Sequence, residues 1–327
     1  MSADEAERFS KSTGIRERRI VTGNQCASDL CAFAAHDLLE KLNWERADIG
    51  ALILITQTAD YPIPATAILL QHRLGLPNTC IAFDINLGCS AYPYGLLTVG
   101  ALIKTAGIKR ALLLIGDVSS KVCNFADKSA WPLFGDAGTA TALELDDDAP
   151  PMTFDLMADG KGAQAIIVPG GGLAARQPVT AENLVPVADR NGMMRNAANL
   201  VLRGADIFSF AISKVAPSVK RALDAAQWSP DSVDKYVLHQ ANKMINDSVQ
   251  KKIGAGETQV PTSIEKFGNT GSASVPLTVC HTRAAWTFPC RVLFSGFGVG
   301  LSWGSAATEL GEGTVLSWVE TDDVYPA

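Results

Sequence analysis

Cys89 is the first residue of the chain that could carry covalent chemistry. It follows Gly88 after an apolar strand predicted over Cys80–Ile85, and a helix is predicted to begin near Ala91. A thiol beside a helix N-terminus lies at the positive end of the helix dipole, which lowers its pKa and favours the thiolate. The position therefore predicts an activated nucleophile, and a buried structural cysteine is the alternative from this residue alone.

A histidine and an asparagine are two further candidates. His239 ends an apolar strand in the segment YVLHQAN, whereas His36, His72 and His281 fall within predicted helices. Asn269 is flanked by glycines in FGNTGSAS, where an amide can donate hydrogen bonds without taking a charge, as an oxyanion site requires. A simple Asn-Gly turn is the alternative for Asn269. Taken together, the three residues favour acyl transfer through a thioester.

The composition argues against several other classes of function. The 327 residues carry 28 Lys and Arg against 34 Asp and Glu, without a dense basic block, which disfavours nucleic-acid binding. The seven cysteines form no CxxC pair, so neither a disulfide framework nor a zinc site is indicated, and we expect no metal. No apolar run reaches the roughly 20 residues of a membrane span, and Met1–Arg19 is too polar for a secretory signal. These features predict a cytoplasmic protein.

The elements that must position these residues alternate between helices and buried strands. The order predicts an α/β fold whose sheets are covered by helices on both faces. The predicted helices are Ser28–Leu42, with Ser28 as its cap, Ala65–Leu74, Ala91–Ala106 and Gly204–Ala226; the predicted strands are Gly50–Thr56, Cys80–Ile85, Ala111–Gly116 and Gly138–Leu145.

The second half of the chain repeats the first at an offset near 180 residues. LGCSA over 87–91 resembles FGNTG over 267–271, and LIGD over 114–117 resembles FSGF over 294–297, both at an offset of 180. The repeat predicts two similar halves, residues 1–149 with the cysteine and residues 150–327 with the histidine and asparagine. The Gly- and Pro-rich stretch 150–203 is expected to be an irregular crossing segment.

At these residues the chain resembles the β-ketoacyl-acyl-carrier-protein synthase III (KAS III) family of thiolase-like condensing enzymes. The resemblance implies a thiolase-like fold, in which two similar α/β halves form a layered αβαβα architecture. The motifs that carry it follow the family's order: TGIRERR over 13–19, GCS over 88–90, FGDAGTA over 134–140, ADG over 158–160, HQAN over 239–242, GNTGSAS over 268–274 and GFGVGLSWGS over 296–305.

The resemblance also implies a mechanism. Cys89 would take an acyl group from a thioester, commonly acyl-CoA, and His239 and Asn269 would stabilise the enolate formed when malonyl-acyl carrier protein loses CO2. The backbone N–H groups of Cys89 and Val299 would form a second oxyanion hole. The implied partners are acyl-CoA, acyl carrier protein and a second copy of the chain, and no cofactor is needed. We attribute the homodimer to pairing of the first-half sheets and to the wholly apolar strand Ala111–Gly116.

The chain departs from the family pattern at its donor site and near its start. The family's first strand does not precede Thr13, and Val299 replaces a glycine of the family's glycine-rich turn. Arg16 is retained, but Lys128 and Met244 stand where the family has arginines, which predicts weak use of free acyl-CoA. By the same resemblance the predicted substrate-binding residues are Arg16, Lys128, Phe208, Met244 and Phe297.

Two alternatives to condensation in fatty-acid or related biosynthesis stay open. In the first, the enzyme belongs to a specialised polysaccharide or secondary-metabolite pathway, and acyl-Cys89 passes its acyl group to an acceptor other than malonyl. In the second, the chain is a non-catalytic scaffold subunit. The presence of both Cys89 and His239 disfavours the scaffold.

Overall fold

Two four-stranded sheets organise the computed structural model, which describes residues 2–172, 178–189 and 191–326. The helices are α1 (Ala3–Thr13), α2 (Ala27–Leu42), α3 (Thr66–Arg73), α4 (Ala91–Ala106), α5 (Gly204–Ala226), α6 (Lys243–Ile253), α7 (Ile264–Phe267) and α8 (Ser274–His281). The strands are β1 (Ile49–Ile55), β2 (Ile81–Ile85), β3 (Arg110–Asp117), β4 (Ala137–Glu144), β5 (Thr153–Ala158), β6 (Ile166–Ile167), β7 (Val187–Ala188), β8 (Met194–Arg195), β9 (Val201–Leu202), β10 (Lys235–Leu238), β11 (Cys290–Gly298) and β12 (Ser302–Leu310).

Three adjacent strands of each sheet share one pattern of strand directions. The first has the order β2-β1-β3-β4, in which β1 is parallel to β2 and β3, and β4 is antiparallel to β3. The second has the order β10-β11-β12-β5, with β10 parallel to β11 and the remaining pairs antiparallel. The equivalent of β1-β3-β4 is therefore β10-β11-β12, as the internal repeat predicts.

The alternating side chains of β1 explain the layers. Ile53 and Ile55 pack toward α4, α8 and the second sheet, whereas Leu52 and Leu54 pack toward α2 and α3, and all four are fully buried. Helices α5 and α6 cover the outer face of the second sheet. The resulting order of helices, sheet, helices, sheet and helices is the predicted αβαβα architecture, and the fold class is confirmed.

The crossing segment is less irregular than expected. Residues Thr153–Ala158 form β5, which pairs with β12 and completes the second sheet, and β6 to β9 form two small two-stranded sheets. The prediction of an irregular segment over 150–203 is wrong at these strands, because runs of two to six residues between glycines and prolines are too short to show a period. Gly170–Gly172 leads into residues 173–177, which lie outside the described part.

Helix α1 and the start of α2 also differ from the expectations. The polar segment Ala3–Thr13 is helical, and Ser2 and Glu5 form a capping box at its start. Helix α2 is capped at Cys26 rather than at Ser28, because the Asp29 carboxylate accepts the Cys26 backbone N–H at 2.7 Å. Ser28 lies within the helix, where its hydroxyl donates to Asp60 at 2.6 Å.

The C-terminal segment 311–326 crosses the first half without forming a helix or strand. The Trp318 ring packs edge-on against Phe267, with ring centroids 5.1 Å apart. Further along, the Tyr325 ring packs edge-on against Phe33 of α2 at 5.0 Å, and Arg73 of α3 donates to the Tyr325 carbonyl at 2.7 Å. The end of the chain is thus held on the outer helices of the first half.

Candidate active site

One cavity of about 730 Å³ lies where the two halves meet, and Cys89, His239 and Asn269 all line it. Cys89 comes from the turn after β2, and His239 follows the end of β10. Asn269 lies in the loop between α7 and α8. The fold therefore brings together three residues that are separated by up to 180 positions in the sequence.

Cys89 lies in a turn that packs closely against β11, because β11 has glycines at the points of contact. The Ala91 N–H closes the turn by donating to the Gly88 carbonyl at 2.8 Å, and α4 begins there. A Cβ atom on Gly298 would lie 2.7 Å from the Cys89 sulfur, and one on Gly296 would lie 2.6 Å from the Cys89 carbonyl oxygen. Side chains at either glycine would therefore displace the sulfur from the cavity.

Burial opposes the thiolate that the sequence predicts at Cys89. It raises the pKa of the thiol to about 11, and the N–H of Val299 and the cysteine's own N–H lower that pKa only in part. The side chain is 8 % exposed, so the loss of water around the sulfur is the largest effect on its pKa. The two N–H groups directed at the sulfur are those that the sequence proposes for an oxyanion hole.

His239 is a neutral imidazole held by Ser274. The ring is buried, and this burial lowers its pKa to about 3. Its Nδ1 lies 2.6 Å from the Ser274 hydroxyl, which also accepts the Gln240 backbone N–H at 3.5 Å. A Ser274 hydroxyl that donates to Nδ1 leaves the imidazole proton on Nε2. In that tautomer the side chain is a neutral hydrogen-bond donor.

The side-chain amide of Asn269 is likewise held so that its N–H groups can donate. Its backbone forms a parallel bridge with Phe134, in which the Gly135 N–H donates to the Asn269 carbonyl at 3.0 Å. The side-chain Oδ1 accepts the Gly271 N–H at 3.0 Å. Since the acceptor of the amide is engaged, the Nδ2 hydrogens are left to donate.

Asp117 is a positioning residue that the sequence analysis missed. At the end of β3 its buried carboxylate accepts the N–H of Gln57 at 2.7 Å and, across the two halves, the N–H of Ser272 at 3.1 Å. Burial raises the pKa of this carboxyl, although hydrogen bonds from Ser272, Gln57 and Thr56 oppose the shift. The signal was a carboxylate that ends an otherwise apolar strand. Asp117 fixes the loop that carries Asn269 to the half that carries Cys89.

The predicted substrate-binding residues divide into two groups. Phe297 and Lys128 line the cavity, and the Phe297 ring lies edge-on to His239 at 5.4 Å. Arg16, Phe208 and Met244 are not among its lining residues. Their roles stay predictions.

The structure gives each of these three residues a different environment. The exposed side chain of Arg16 pairs with Glu265 at 3.3 Å. Phe208 packs against the outer core between α5 and the second sheet, and Met244 is 55 % exposed on α6. The neighbours Ile207 and Ile245 line the cavity instead, because adjacent helical residues point about 100° apart.

Two structural findings bear on metal binding and membranes. Within residues 2–172, 178–189 and 191–326, no three His, Cys, Asp or Glu side chains are grouped so that they could hold a metal ion. In the same described part of the chain, none of the helices is long and apolar enough to span a bilayer.

Two family models match the parts of the chain that carry this geometry. The model described as "3-Oxoacyl-[acyl-carrier-protein (ACP)] synthase III" matches residues 83–160, and the corresponding C-terminal model matches residues 223–310. The chain belongs to the 3-oxoacyl-acyl-carrier-protein synthase III family. Members of this synthase III family are condensing acyltransferases, so the chain is an enzyme of that class.

Curated relatives of the synthase III family cover nearly the whole chain. A "Beta-ketoacyl-[acyl-carrier-protein] synthase III" of Desulfitobacterium hafniense is 31 % identical over 300 residues, which is 91 % of this chain and 87 % of the relative. One from Clostridioides difficile is 31 % identical over 307 residues, covering 93 % of this chain and 89 % of the relative.

Solved structures of synthase III proteins have the same fold. A 3-oxoacyl-acyl-carrier-protein synthase from Burkholderia xenovorans has a TM-score of 0.91 at 39 % identity, covering 98 % of this chain and 90 % of that one. A synthase III from Thermus thermophilus has a TM-score of 0.81 at 28 % identity, with 95 % of each chain covered.

Proposed function

We propose that the chain catalyses decarboxylative condensation between an acyl thioester and malonyl-acyl carrier protein, in fatty-acid or related biosynthesis. In the first half-reaction the Cys89 sulfur attacks the thioester carbonyl; a new C–S bond forms, and the donor thiol leaves with the cysteine proton. The N–H groups of Cys89 and Val299 stabilise the tetrahedral oxyanion.

In the second half-reaction the malonyl thioester loses CO2, and the electron pair of the broken C–C bond forms an enolate. His239 Nε2–H and Asn269 Nδ2–H donate to the enolate oxygen. The enolate carbon attacks the acyl-Cys89 carbonyl, the C–S bond breaks, and the released thiolate takes a proton. The products are 3-oxoacyl-acyl carrier protein and CO2, and no cofactor enters the balance.

One observation carries this proposal: Cys89, His239 and Asn269 line one cavity, and neighbouring groups engage one polar atom of the imidazole and one of the amide. Ser274 engages Nδ1 of His239, and the Gly271 N–H engages Oδ1 of Asn269. Transfer to an acceptor other than malonyl requires a nucleophile on that acceptor but no enolate to stabilise. Two uncharged donors in the wall of the cavity that holds Cys89 therefore favour decarboxylation.

Intact-mass measurement with a panel of acyl-CoAs and acyl carrier proteins tests the first half-reaction. The protein should gain one acyl mass, and Cys89→Ala should gain none. Cys280→Ala is the matched control, because Cys280 is another free cysteine that does not line the cavity, and it should load normally. Acylation that persists in Cys89→Ala would contradict the assignment. Release of CO2 from malonyl-acyl carrier protein then separates condensation from transfer to another acceptor.

The proposed partners include a second copy of the chain. Strand β3, which the sequence analysis assigned to the dimer, lies between β1 and β4, and its residues 111–114 are fully buried in the core. That assignment is corrected here: β3 is apolar because both of its faces are covered. The edge strand β2 instead exposes Ile81 and Phe83, at 39 % and 37 %, beside the exposed Ile68 of α3 and Leu97 of α4.

We infer that two copies pair through β2 across a twofold axis, since an apolar edge strand is a template for strand addition. Light scattering at micromolar concentration should give a dimer, and Phe83→Lys should shift it toward the monomer. Leu145→Lys is the control, because Leu145 is 41 % exposed and follows β4 at the opposite edge of the same sheet. A monomeric parent protein, or equal effects of both variants, would contradict the interface. We also propose a cytoplasmic location, as expected from the sequence.

A further inference from the structure

Helix α1 forms part of the wall of the cavity that holds Cys89. Phe9 and Thr13 on one face of α1 line this cavity, together with Lys128 from the first half. The helix rests against α6, and Gly14 ends it in the left-handed region, where an added Cβ would lie 2.9 Å from Cβ of Lys243. A segment whose sequence carries no catalytic motif is therefore placed at the reactive site.

Lys128 is held by the same helix. Both carboxylate oxygens of Glu5 lie near its Nζ, at 3.1 and 3.2 Å. The carboxylate is fixed from the other side by the Ser2 backbone N–H, which donates to it at 2.7 Å in the capping box. The Ser2 N–H and Lys128 both lower the pKa of Glu5, so its carboxylate is ionised at neutral pH.

Lys128 has a particular position among the cavity residues. Of the described residues that line the cavity, it is the one Lys or Arg side chain. A phosphate that enters with a pantetheine thioester therefore finds one cation in the wall, and that cation is already paired with Glu5. The phosphate and the Glu5 carboxylate compete for the same ammonium group.

We propose that Glu5 of α1 is an internal competitor of the donor phosphate, and that α1 thereby sets the affinity of the site for phosphopantetheine-bearing ligands. The kind of ligand in this inference rests on the proposed function. The test of the inference measures binding alone and does not depend on that function. An exposed ion pair contributes little, so releasing Lys128 should tighten phosphate binding by up to about five-fold.

Calorimetric titration of the full chain with CoA and with pantetheine, which lacks the phosphates, tests the proposal without any acyl transfer. Glu5→Gln should lower the Kd for CoA by up to about five-fold and leave the Kd for pantetheine unchanged. Glu7→Gln is the matched control, since it removes the same charge from the exposed side of the same helix. In a Lys128→Met background, Glu5→Gln should have no effect.

Titration with phosphopantetheinylated acyl carrier protein distinguishes the two sources of the phosphate. If Glu5→Gln lowers the Kd for both CoA and the carrier protein, the effect is assigned to the phosphopantetheine phosphate that they share. If it lowers the Kd for CoA alone, the effect is assigned to the nucleotide phosphates. Either result supports the competition. Equal effects of Glu5→Gln and Glu7→Gln, or an effect that persists in Lys128→Met, would overturn it. The acylation of Cys89 is measured separately, so failure of the proposed function is seen in loading and failure of this inference in the Kd.

Discussion

The hydroxyl of Ser274 lies 2.6 Å from Nδ1 of His239, at the first residue of α8. The contact joins the residue after β10 to the helix that follows the Asn269 loop. It links the orientation of one proposed enolate donor to the backbone that carries the other. A change at Ser274 should therefore affect the second half-reaction more than the first.

Ser274→Ala tests this relationship. Without the hydroxyl, Nδ1 can carry the proton, and Nε2 then faces the cavity as an acceptor. We expect malonyl decarboxylation to fall about ten-fold, which corresponds to about 1.4 kcal/mol, while acylation of Cys89 stays near normal. Thr270→Val is the control, because the buried Thr270 hydroxyl in the same loop has no hydrogen-bond partner among the described residues. Equal losses in both half-reactions would indicate a structural role only.

His239→Ala and Asn269→Ala should each keep acyl loading and lose decarboxylation. Loss of one oxyanion donor costs about 10²–10³ in rate. Single-turnover assays that follow acyl-enzyme mass and CO2 release separately can check this. If either variant fails to load Cys89 while its unfolding temperature is unchanged, the residue acts in the first half-reaction instead.

The buried His239 predicts a specific dependence of stability on pH. Its folded pKa is about 3, whereas an unperturbed histidine titrates near 6.5, so between these values the unfolded chain binds a proton that the folded chain does not. The free energy of unfolding should therefore fall as the pH is lowered from 6.5 toward 3, by at most about 1.4 kcal/mol per pH unit from this group.

Denaturant titrations at several pH values measure that slope. His239→Gln should reduce it, whereas His72→Gln should not, because His72 is exposed on α3. The rate of decarboxylation should also not fall on the acid side with an apparent pKa of 6 to 7. If the rate does fall in that range, and the fall disappears in His239→Gln, the His239 ring takes up a proton there.

Met244→Arg tests the donor site. The family resemblance predicts that an arginine here assists CoA binding, and the structure limits the size of the effect, because Met244 is 55 % exposed. An exposed ion pair contributes about 0.2–1 kcal/mol, so the KM for acyl-CoA should fall by up to about five-fold with kcat unchanged. Val324→Arg, at a site of 54 % exposure outside the cavity lining, is the control. An unchanged KM would exclude position 244 from the donor site.

The sequence predicted the elements that carry strong periodicity. Helices Ala91–Ala106 and Gly204–Ala226 have the predicted bounds, because a long apolar face and a clear end, such as Gly107, are local signals. The fold class followed from the strand repeat and the family resemblance. Helix α1 was missed although Ser2 and Glu5 have the spacing of a capping box, since its residues are mostly polar.

The candidate site was predictable in its residue types but not in its contacts. Cys89, His239 and Asn269 could be named from local motifs, whereas the Asp117–Ser272 contact joins residues 155 positions apart. The raised pKa of the Cys89 thiol could not be predicted from the sequence either. The helix start is visible in the sequence, but the burial that raises the pKa of Cys89 arises from glycines of β11 that pack against it from the other half.

The anchoring of Tyr325 has a consequence for synthesis on the ribosome. Arg73 precedes the carbonyl that it binds by 252 residues, and translation at about 5–20 residues per second needs roughly 13–50 seconds to cover that distance. During this interval the Phe33 face of α2 lacks the ring that later covers it. The outer layer of the first half is therefore completed only after Tyr325 has been synthesised and has left the ribosome.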